Sequence, residues 1–459
     1  MLTDYISKRK LLILLLDLLV LFLSFLIASV LILGKDRGNQ YFINNNPGFL
    51  FAIGISLAVF YLTDMYYILK DFKQIKELIK IAAGTFTAFF TVLIFSKAFF
   101  FLSFNYRILI SMFIFVYLGV ILNRIILNLF IDRDLFVKKA LIIGINEASI
   151  EIVRLIKDTP YAGITNIGLL RLGAFDVNIV KDIGLPVLGG GGDLKSIVKS
   201  YSINLLIISS FSKIDTKLIE AILSLRQQGV HIIGMPTLYE RIQQRVPIQF
   251  IDDHWLLDSC LSQNKFQVIK IKGVFDIIAS LIALILFLPF LLIIAIIVKL
   301  DSKGPVFYSQ ERLGRDGKPF MIKKIRTMHI DIKKTGQVFT GNTNRRMTRV
   351  GYFLRKYRID EIPQFINVLK GEMSIIGPRP EWRDFIREMQ KDIPFYRLRL
   401  ITKPGITGWA QTNYKHSISL KEYLIKFEYD LYYLKNMSPL LDFTIFFKTI
   451  WSVLSGKGV

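Results

Sequence analysis

Only one of the 459 residues is cysteine, Cys260, and only four are histidine: His231, His254, His329 and His416. A disulfide framework and a cysteine-based metal site are thereby excluded, and the scattered histidines offer no clustered metal site. Acid is scarce too: 36 Asp and Glu stand against 59 Lys and Arg, a formal net charge of +23. That surplus calls for an acidic partner, whether nucleic acid, anionic lipid or a phosphorylated substrate. No nucleic-acid reader motif accompanies the charge, so nucleic acid is not the expected partner. Nor is a cleavable signal peptide expected, because the first apolar run is too long and lacks a small-residue cleavage site.

Apolar residues are abundant. They make up 52% of the chain, with 37 Phe, above the norm for soluble domains. Lys8-Arg9-Lys10 precede an apolar run over residues 11–33, and further runs follow at about 49–69, 79–101 and 108–130. Each is long enough for a bilayer-spanning helix. The loop holding Lys70, Lys73, Lys76 and Lys80 is basic, whereas 35–46 and 103–106 are poor in Lys and Arg. The positive-inside rule then predicts four spans with both ends of the bundle in the cytoplasm. Few ionisable groups lie centrally in these spans, which argues against a transporter.

From residue 137 the pattern changes. Val137 to Gly144 reads as a buried strand feeding a helix over 149–157, with later strands at 204–209 and 230–235 and a helix at 216–227. Strands alternating with helices predict a parallel, Rossmann-like α/β sheet. The glycine fingerprint of dinucleotide binding is incomplete, because Ile145, Asn146, Glu147 and Ala148 follow Gly144. A structural or regulatory module is favoured over a ligand-binding one. Gly189 to Gly192 reads as a flexible turn.

Residues 273–298 are apolar apart from Asp276 and are interrupted by Pro289, with Lys270 and Lys272 before and Lys299 and Lys303 after. Cations on both flanks and a proline inside predict a helix–break–helix hairpin returning to the same face, with an ordinary fifth span as the alternative. Lys272 and Asp276 read as a helix-start pair at the membrane surface. The stretches 385–389 and 443–454 mix large apolar residues with cations, and suit either interfacial or core-facing helices.

The chemistry concentrates further on. Residues 321–358 hold eleven Lys and Arg against one acid, Asp331. Over 301–459 the balance is 29 Lys and Arg to 15 Asp and Glu. Such a field suits phosphates, with Arg giving bidentate contacts and Lys a point charge. Asp360 and Glu361 sit inside it, among Arg355, Lys356, Arg358 and Arg379. Cations would hold a carboxylate there ionised, able to act as nucleophile or metal ligand.

The words around that pair are long and ordered: Phe320-Met321-Ile322-Lys323-Lys324-Ile325-Arg326-Thr327-Met328, Ile359-Asp360-Glu361-Ile362-Pro363-Gln364, Asn367-Val368-Leu369-Lys370-Gly371-Glu372-Met373-Ser374, Gly377-Pro378-Arg379-Pro380 and Lys403-Pro404-Gly405-Ile406-Thr407-Gly408-Trp409-Ala410-Gln411. They resemble the bacterial polyprenyl-phosphate hexose-1-phosphate transferases, the membrane enzymes that begin O-antigen, capsule and exopolysaccharide assembly. The resemblance is specific from Lys270 onward and looser over the N-terminal half, as in the long members of the family.

That resemblance implies transfer of a hexose-1-phosphate from a UDP-sugar to undecaprenyl phosphate, releasing UMP through a covalent aspartyl-phosphosugar. It assigns Asp360 as nucleophile and Glu361 to Mg²⁺, with Lys324, Arg355 and Arg379 neutralising charge on the phosphoryl group. Arg326, Arg358, Pro378, Pro380, Trp409 and Gln411 complete the expected substrate-binding set, the prolines by fixing backbone geometry. His329 and His416 are expected to be incidental. Glucose or galactose is the favoured sugar, and the resemblance is compatible with a homodimer.

The expected architecture is a membrane α-helical bundle over 1–134 and a Rossmann-like α/β domain over 135–262. An α-rich, membrane-associated catalytic domain follows over 263–459, with a re-entrant helix at about 273–299. The expected location is the bacterial inner membrane, multi-pass, with the catalytic domain facing the cytoplasm. The competing reading is a membrane-anchored nucleotide-binding regulator without turnover.

Overall fold

The computed structural model describes residues 2–63, 65–66, 75–98, 104–131, 138–159, 162–173, 177–211, 214–251, 266–329, 347–414 and 419–454. Lys70, Lys73, Val137, His254, Cys260, Asp331 and His416 lie outside them. The chain forms two compact units, Met1–Ile242 and Gln243–Val459.

The first unit opens with helices. α1 (Leu2–Leu33) and α5 (Tyr106–Ile131) carry apolar stretches, Leu12–Leu33 and Tyr106–Leu127, long enough to cross a bilayer. Between them, α2 (Lys35–Asn44) meets α3 (Asn46–Leu62) at a 75° bend, and α4 (Ile75–Ala98) has a shorter apolar part, Ile81–Ser96. The second expected span falls largely on α3, the expected 35–46 loop is the helix α2 bent against it, and the third span has a short apolar core. Leu21, Phe25, Phe60, Met112 and Val116 are fully buried between the helices.

One polar cluster crosses this apolar packing. Arg124 of α5 donates from both terminal nitrogens to Asp17 of α1, at 2.9 and 2.5 Å, and the Asn123 amide adds a third bond of 2.9 Å. Both charged side chains have zero exposure, so each charge is compensated within protein. Asp17 lies near the start of the α1 apolar stretch and Arg124 near the end of that in α5. The pair therefore sets the N-terminal end of α1 and the C-terminal end of α5 at one level.

The rest of the unit is α/β. Five parallel strands, β1 (Lys138–Ile143), β2 (Ile164–Arg171), β3 (Val187–Gly190), β4 (Leu205–Ile208) and β5 (His231–Gly234), run in the order β3-β2-β1-β4-β5. Ala140–Ile143 of central β1 and all of β4 are buried runs of Leu, Ile and Ala, as a sheet covered on both faces requires. The order reverses between β1 and β4, where open α/β sheets take their ligands. Here α6 (Glu147–Asp158) caps itself: Asn146 Oδ1 accepts from the Ser149 amide at 3.1 Å, and Ser149 Oγ donates to the Gly144 carbonyl at 2.8 Å. Helices α7 (Val177–Ile183), α8 (Leu194–Ser200), α9 (Thr216–Gln227) and α10 (Met235–Gln243) complete the α/β part.

Val246 and Ile248 are buried in the core of the second unit. Its longest element is α11 (Phe266–Asp301), 36 residues with Pro289 inside. The expected break into two helices is not seen: the segment is one helix. Ile277, Leu281, Ile285, Leu288, Leu292 and Ile296 are 50–66% exposed, an apolar surface of the kind lipid covers.

After α11 comes an antiparallel hairpin, β6 (Phe307–Leu313) and β7 (Pro319–Ile325). Helices α12 (Arg349–Lys356) and α13 (Gln364–Leu369) follow, then a parallel pair, β8 (Ser374–Ile376) and β9 (Gly405–Thr407). Between and beyond these lie α14 (Arg383–Asp392), α15 (Trp409–Asn413), α16 (Leu420–Asn436) and α17 (Pro439–Leu454). Met373, Ile376, Phe385, Tyr396, Phe427, Leu431 and Tyr433 centre the core. Phe385, Ile386 and Met389 turn inward, which makes 385–389 core-facing. In α17, Ile445 is buried while Phe443, Ile450 and Trp451 are exposed.

Candidate active site

Four chain segments converge on Asp360 and Glu361. Strand β7 supplies Lys324, and Asn367 fixes that strand against α13. The Asn367 amide donates to the Met321 carbonyl at 2.8 Å and to Glu372 at 2.6 Å, and its oxygen accepts from the Lys323 amide at 3.1 Å. Thr348 caps α12 by accepting from the Gly351 amide at 2.9 Å. Gly351 is required there, since a Cβ would stand 2.1 Å from the Thr327 carbonyl oxygen. Near the end of α12, Arg355 Nε donates to Thr327 Oγ1 at 2.9 Å.

The chain then turns sharply. Arg358 takes a left-handed conformation, φ 52°, at a cost of about 1–2 kcal/mol for a residue with a Cβ. A 3₁₀ turn, Ile359–Glu361, follows, and both carboxylates are buried in it, 6% and 8% exposed. Their surroundings differ. Lys324 Nζ bonds Glu361 Oε1 at 2.7 Å, and Arg379 approaches the same oxygen at 3.7 Å. Among the described residues, no hydrogen bond or ion pair reaches the Asp360 carboxylate.

Burial alone would raise the Glu361 pKa, but Lys324, Arg379 and Arg358 outweigh it and hold the group below the usual carboxylate range. Asp360 goes the other way: burial first, then the adjacent Glu361 charge, raise it despite Lys324, Arg355 and Arg379. The cations therefore prevail at Glu361, whereas at Asp360 burial and the neighbouring charge outweigh them.

The expected substrate-binding residues divide. Arg358 is half-buried in the turn, and Arg379 projects, with a side chain 44% exposed. Arg326 is used elsewhere: it is 6% exposed and donates to the carbonyls of Lys303, Ser302 and Val298 at 2.8, 2.6 and 3.5 Å. It caps the C-terminus of α11, whose last carbonyls have no partner inside the helix. Trp409 is 3% exposed, donates to the Gln244 carbonyl at 2.9 Å, stacks on Tyr432 and has Lys448 over its ring. The Gln411 amide folds back onto the Ile406 carbonyl at 3.3 Å. Pro378 and Pro380 offer their carbonyls to the Gly405 amide and to Arg312. In these five, the side chain or carbonyl serves the fold.

Sequence reasoning missed what holds the Arg379 loop. Arg399 is buried and donates to the Arg379 carbonyl at 3.0 Å, to Asp430 at 3.1 Å and to the Tyr396 hydroxyl at 2.5 Å. Lys426 also comes close to Arg379. Its ammonium pKa is lowered by burial and by that guanidinium. No motif marks Arg399, Lys426 or Asp430, because their partners are distant in sequence.

The sequence profile of the family described as Bacterial sugar transferase matches residues 267–456. A UDP-glucose:undecaprenyl-phosphate glucose-1-phosphate transferase of Xanthomonas campestris pv. campestris is 31% identical over 344 residues, 73% of this chain and 70% of that relative. The chain belongs to the bacterial sugar transferase family. A UDP-N-acetylgalactosamine-undecaprenyl-phosphate N-acetylgalactosaminephosphotransferase of Aeromonas hydrophila is 47% identical over 229 residues, 50% of this chain. That match spans about half, 53%, of the Aeromonas relative. The Escherichia coli (strain K12) UDP-glucose:undecaprenyl-phosphate glucose-1-phosphate transferase is 42% identical over 191 residues, 41% of each chain. In this sugar transferase the family match runs from the head of α11 into α17 and takes in every site residue named above.

Proposed function

We propose that this sugar transferase moves a hexose-1-phosphate from a UDP-sugar to undecaprenyl phosphate, the initiating step of exopolysaccharide, capsule or O-antigen synthesis. The relatives' names supply the reaction class and both sugar types, glucose and N-acetylgalactosamine. The observation that carries the chemistry is the split between neighbours. Lys324 and Arg379 occupy Glu361, which leaves the Asp360 carboxylate beside them as the nucleophile.

In the first step, Asp360 Oδ attacks the phosphorus that bears the sugar. The P–O bond to the uridylate breaks, UMP leaves with the bridging oxygen, and an aspartyl-phosphosugar forms. In the second, a phosphate oxygen of undecaprenyl phosphate attacks the same phosphorus. The Asp360–phosphorus bond breaks, the carboxylate returns, and a polyprenyl-diphosphate-sugar is released. Two steps keep the two anionic reactants apart, and Lys324, Arg355 and Arg379 offset charge on the transferring group.

Glu361 suits Mg²⁺, being a hard oxygen donor held ionised. Among the described residues no group of three or more His, Cys, Asp or Glu gathers. The ion would therefore take its other ligands from substrate phosphates and water, as Mg²⁺ commonly does. When bound, it would supply further charge neutralisation at the phosphoryl group.

A re-entrant placement of α11 belongs to the same reading, with Pro289 as the point where the single helix would bend. Near its start, Lys272 and Asp276 bond Asp442 and Ile375; near its end, Val298 packs with Ile325 and Leu354, and Arg326 caps the last carbonyls. One compact unit thus holds both ends of an exposed apolar helix. An ordinary span would put those ends on opposite faces. With the basic unit on the cytoplasmic side of the inner membrane, a soluble nucleotide-sugar and a lipid phosphate reach the same carboxylate.

The test uses purified protein, Mg²⁺, undecaprenyl phosphate and a panel of UDP-hexoses and UDP-N-acetylhexosamines. UMP release is expected with one donor, together with a protein adduct labelled from the sugar. Asp360→Asn is expected to abolish both; turnover retained in that variant would remove Asp360 from its role.

A further inference from the structure

Lys272 and Asp276 have no part in the reaction described above, yet their contacts run straight to its loop. Asp276 is 6% exposed, and its Oδ1 accepts from the Ile375 amide at 3.0 Å, in the middle of β8. One helical turn earlier, Lys272 Nζ bonds Asp442 Oδ2 of α17 at 2.8 Å. The other oxygen of Asp442 accepts from the Tyr433 hydroxyl at 2.8 Å, which also lies 3.4 Å from the Ile376 carbonyl. Tyr433 is 1% exposed. Strand β8 runs directly into Gly377-Pro378-Arg379, where the Gly377 amide donates to the Thr407 carbonyl at 2.8 Å and the Pro378 carbonyl accepts from Gly405. A Cβ on Gly405 would stand 2.1 Å from the Gly377 nitrogen, so the loop has little room to shift on its own.

We propose that Asp276, with the Lys272–Asp442–Tyr433 chain beside it, is a positioning residue. It sets the depth of the membrane helix against the Pro378–Arg379 loop, and thereby aligns the carboxylate site with the plane of lipid phosphates. The inference rests on the phosphosugar-transfer reading above. Two charged side chains near the head of α11 are held by strand and helix partners instead of water, which fixes rotation and depth together. The two half-reactions depend differently on that depth. A soluble nucleotide-sugar reaches the site at any height above the bilayer, whereas a lipid phosphate is confined to the headgroup layer.

Separating the half-reactions on full-length protein in lipid nanodiscs tests this. Adduct formation from the UDP-sugar is read by mass, and discharge of the isolated adduct by undecaprenyl phosphate is read as a rate. Asp276→Asn is expected to keep adduct formation within about twofold of the unmodified protein while slowing discharge by about 10-fold to 100-fold, the scale of loss from a misplacement near 1 Å. Tyr433→Phe keeps the ring and removes one link, and is expected to show the same split more weakly. It stands as the test if Asp276→Asn fails to fold. Equal loss in both half-reactions, or no loss in either, overturns the positioning role. An unmodified protein that never forms the adduct overturns the transfer reading instead, so the two failures are distinct.

Discussion

Asp360 and Glu361 are consecutive residues, yet Lys324 bonds only the second, at 2.7 Å. Burial and the Glu361 charge leave the Asp360 carboxylate easier to protonate than an ordinary aspartate. A nucleophile must be ionised to react, so adduct formation falls as pH drops through that raised value. Its acid limb is expected above the ordinary aspartate value of about 3.9, and a pH profile of the adduct rate checks it. Glu361→Gln removes the neighbouring charge and is expected to move the limb to lower pH. The indole of Trp409 offers a contrasting case. Its N–H is committed to the Gln244 carbonyl, so Trp409→Phe is expected to cost about 1–3 kcal/mol of stability by leaving that carbonyl unpaired. Thermal unfolding should show the loss, with KM for the UDP-sugar unchanged.

Among the elements, α11 depends on a residue outside itself. Arg326 reaches the Val298 carbonyl in its last turn and those of Ser302 and Lys303 just beyond it, doing for this helix what a terminal side chain does elsewhere. Arg326→Met is expected to lower the unfolding temperature while leaving KM for the donor within about twofold, as loss of uniform structural support rather than of a substrate contact. A KM increase without a stability loss would return Arg326 to the binding set. In the bundle, α1 and α5 are joined by Asp17 and Arg124. Replacing Arg124 alone by Met strands a buried carboxylate, and is expected to destabilise by about 3–5 kcal/mol. Pairing it with Asp17→Leu should restore much of that, as measured by recovery of folded protein in detergent.

For the molecule as a whole, the sharpest question is which side of the membrane each end of α11 meets. With Cys260 replaced by Ser, single cysteines at Ile271→Cys and Pro305→Cys are expected to react with an impermeant thiol reagent only from the cytoplasmic side. Periplasmic labelling of the second would make α11 an ordinary span. The excess of cations over 301–459, 29 Lys and Arg to 15 Asp and Glu, would favour that arrangement, since a basic unit resting on an anionic leaflet gains about 1 kcal/mol for each cation near the surface.

The amino-acid order by itself determined the apolar helices, the alternation that builds the parallel sheet and the basic field around Asp360 and Glu361. These follow from local composition and short-range periodicity, which need no knowledge of distant partners. The motifs from Phe320 to Gln411 pointed to the same region through their resemblance to the family. Only the tertiary structure decided which carboxylate Lys324 would take, and which carbonyls the Arg326 guanidinium and the Trp409 indole would meet. It alone placed Arg399, Lys426 and Asp430 around the Arg379 loop. Those assignments depend on contacts between residues tens to hundreds of positions apart, where charge and hydrophobicity say that a partner is needed but not which one. Pro289 is the local case: proline removes one donor from α11, yet the helix runs on through it as a single element.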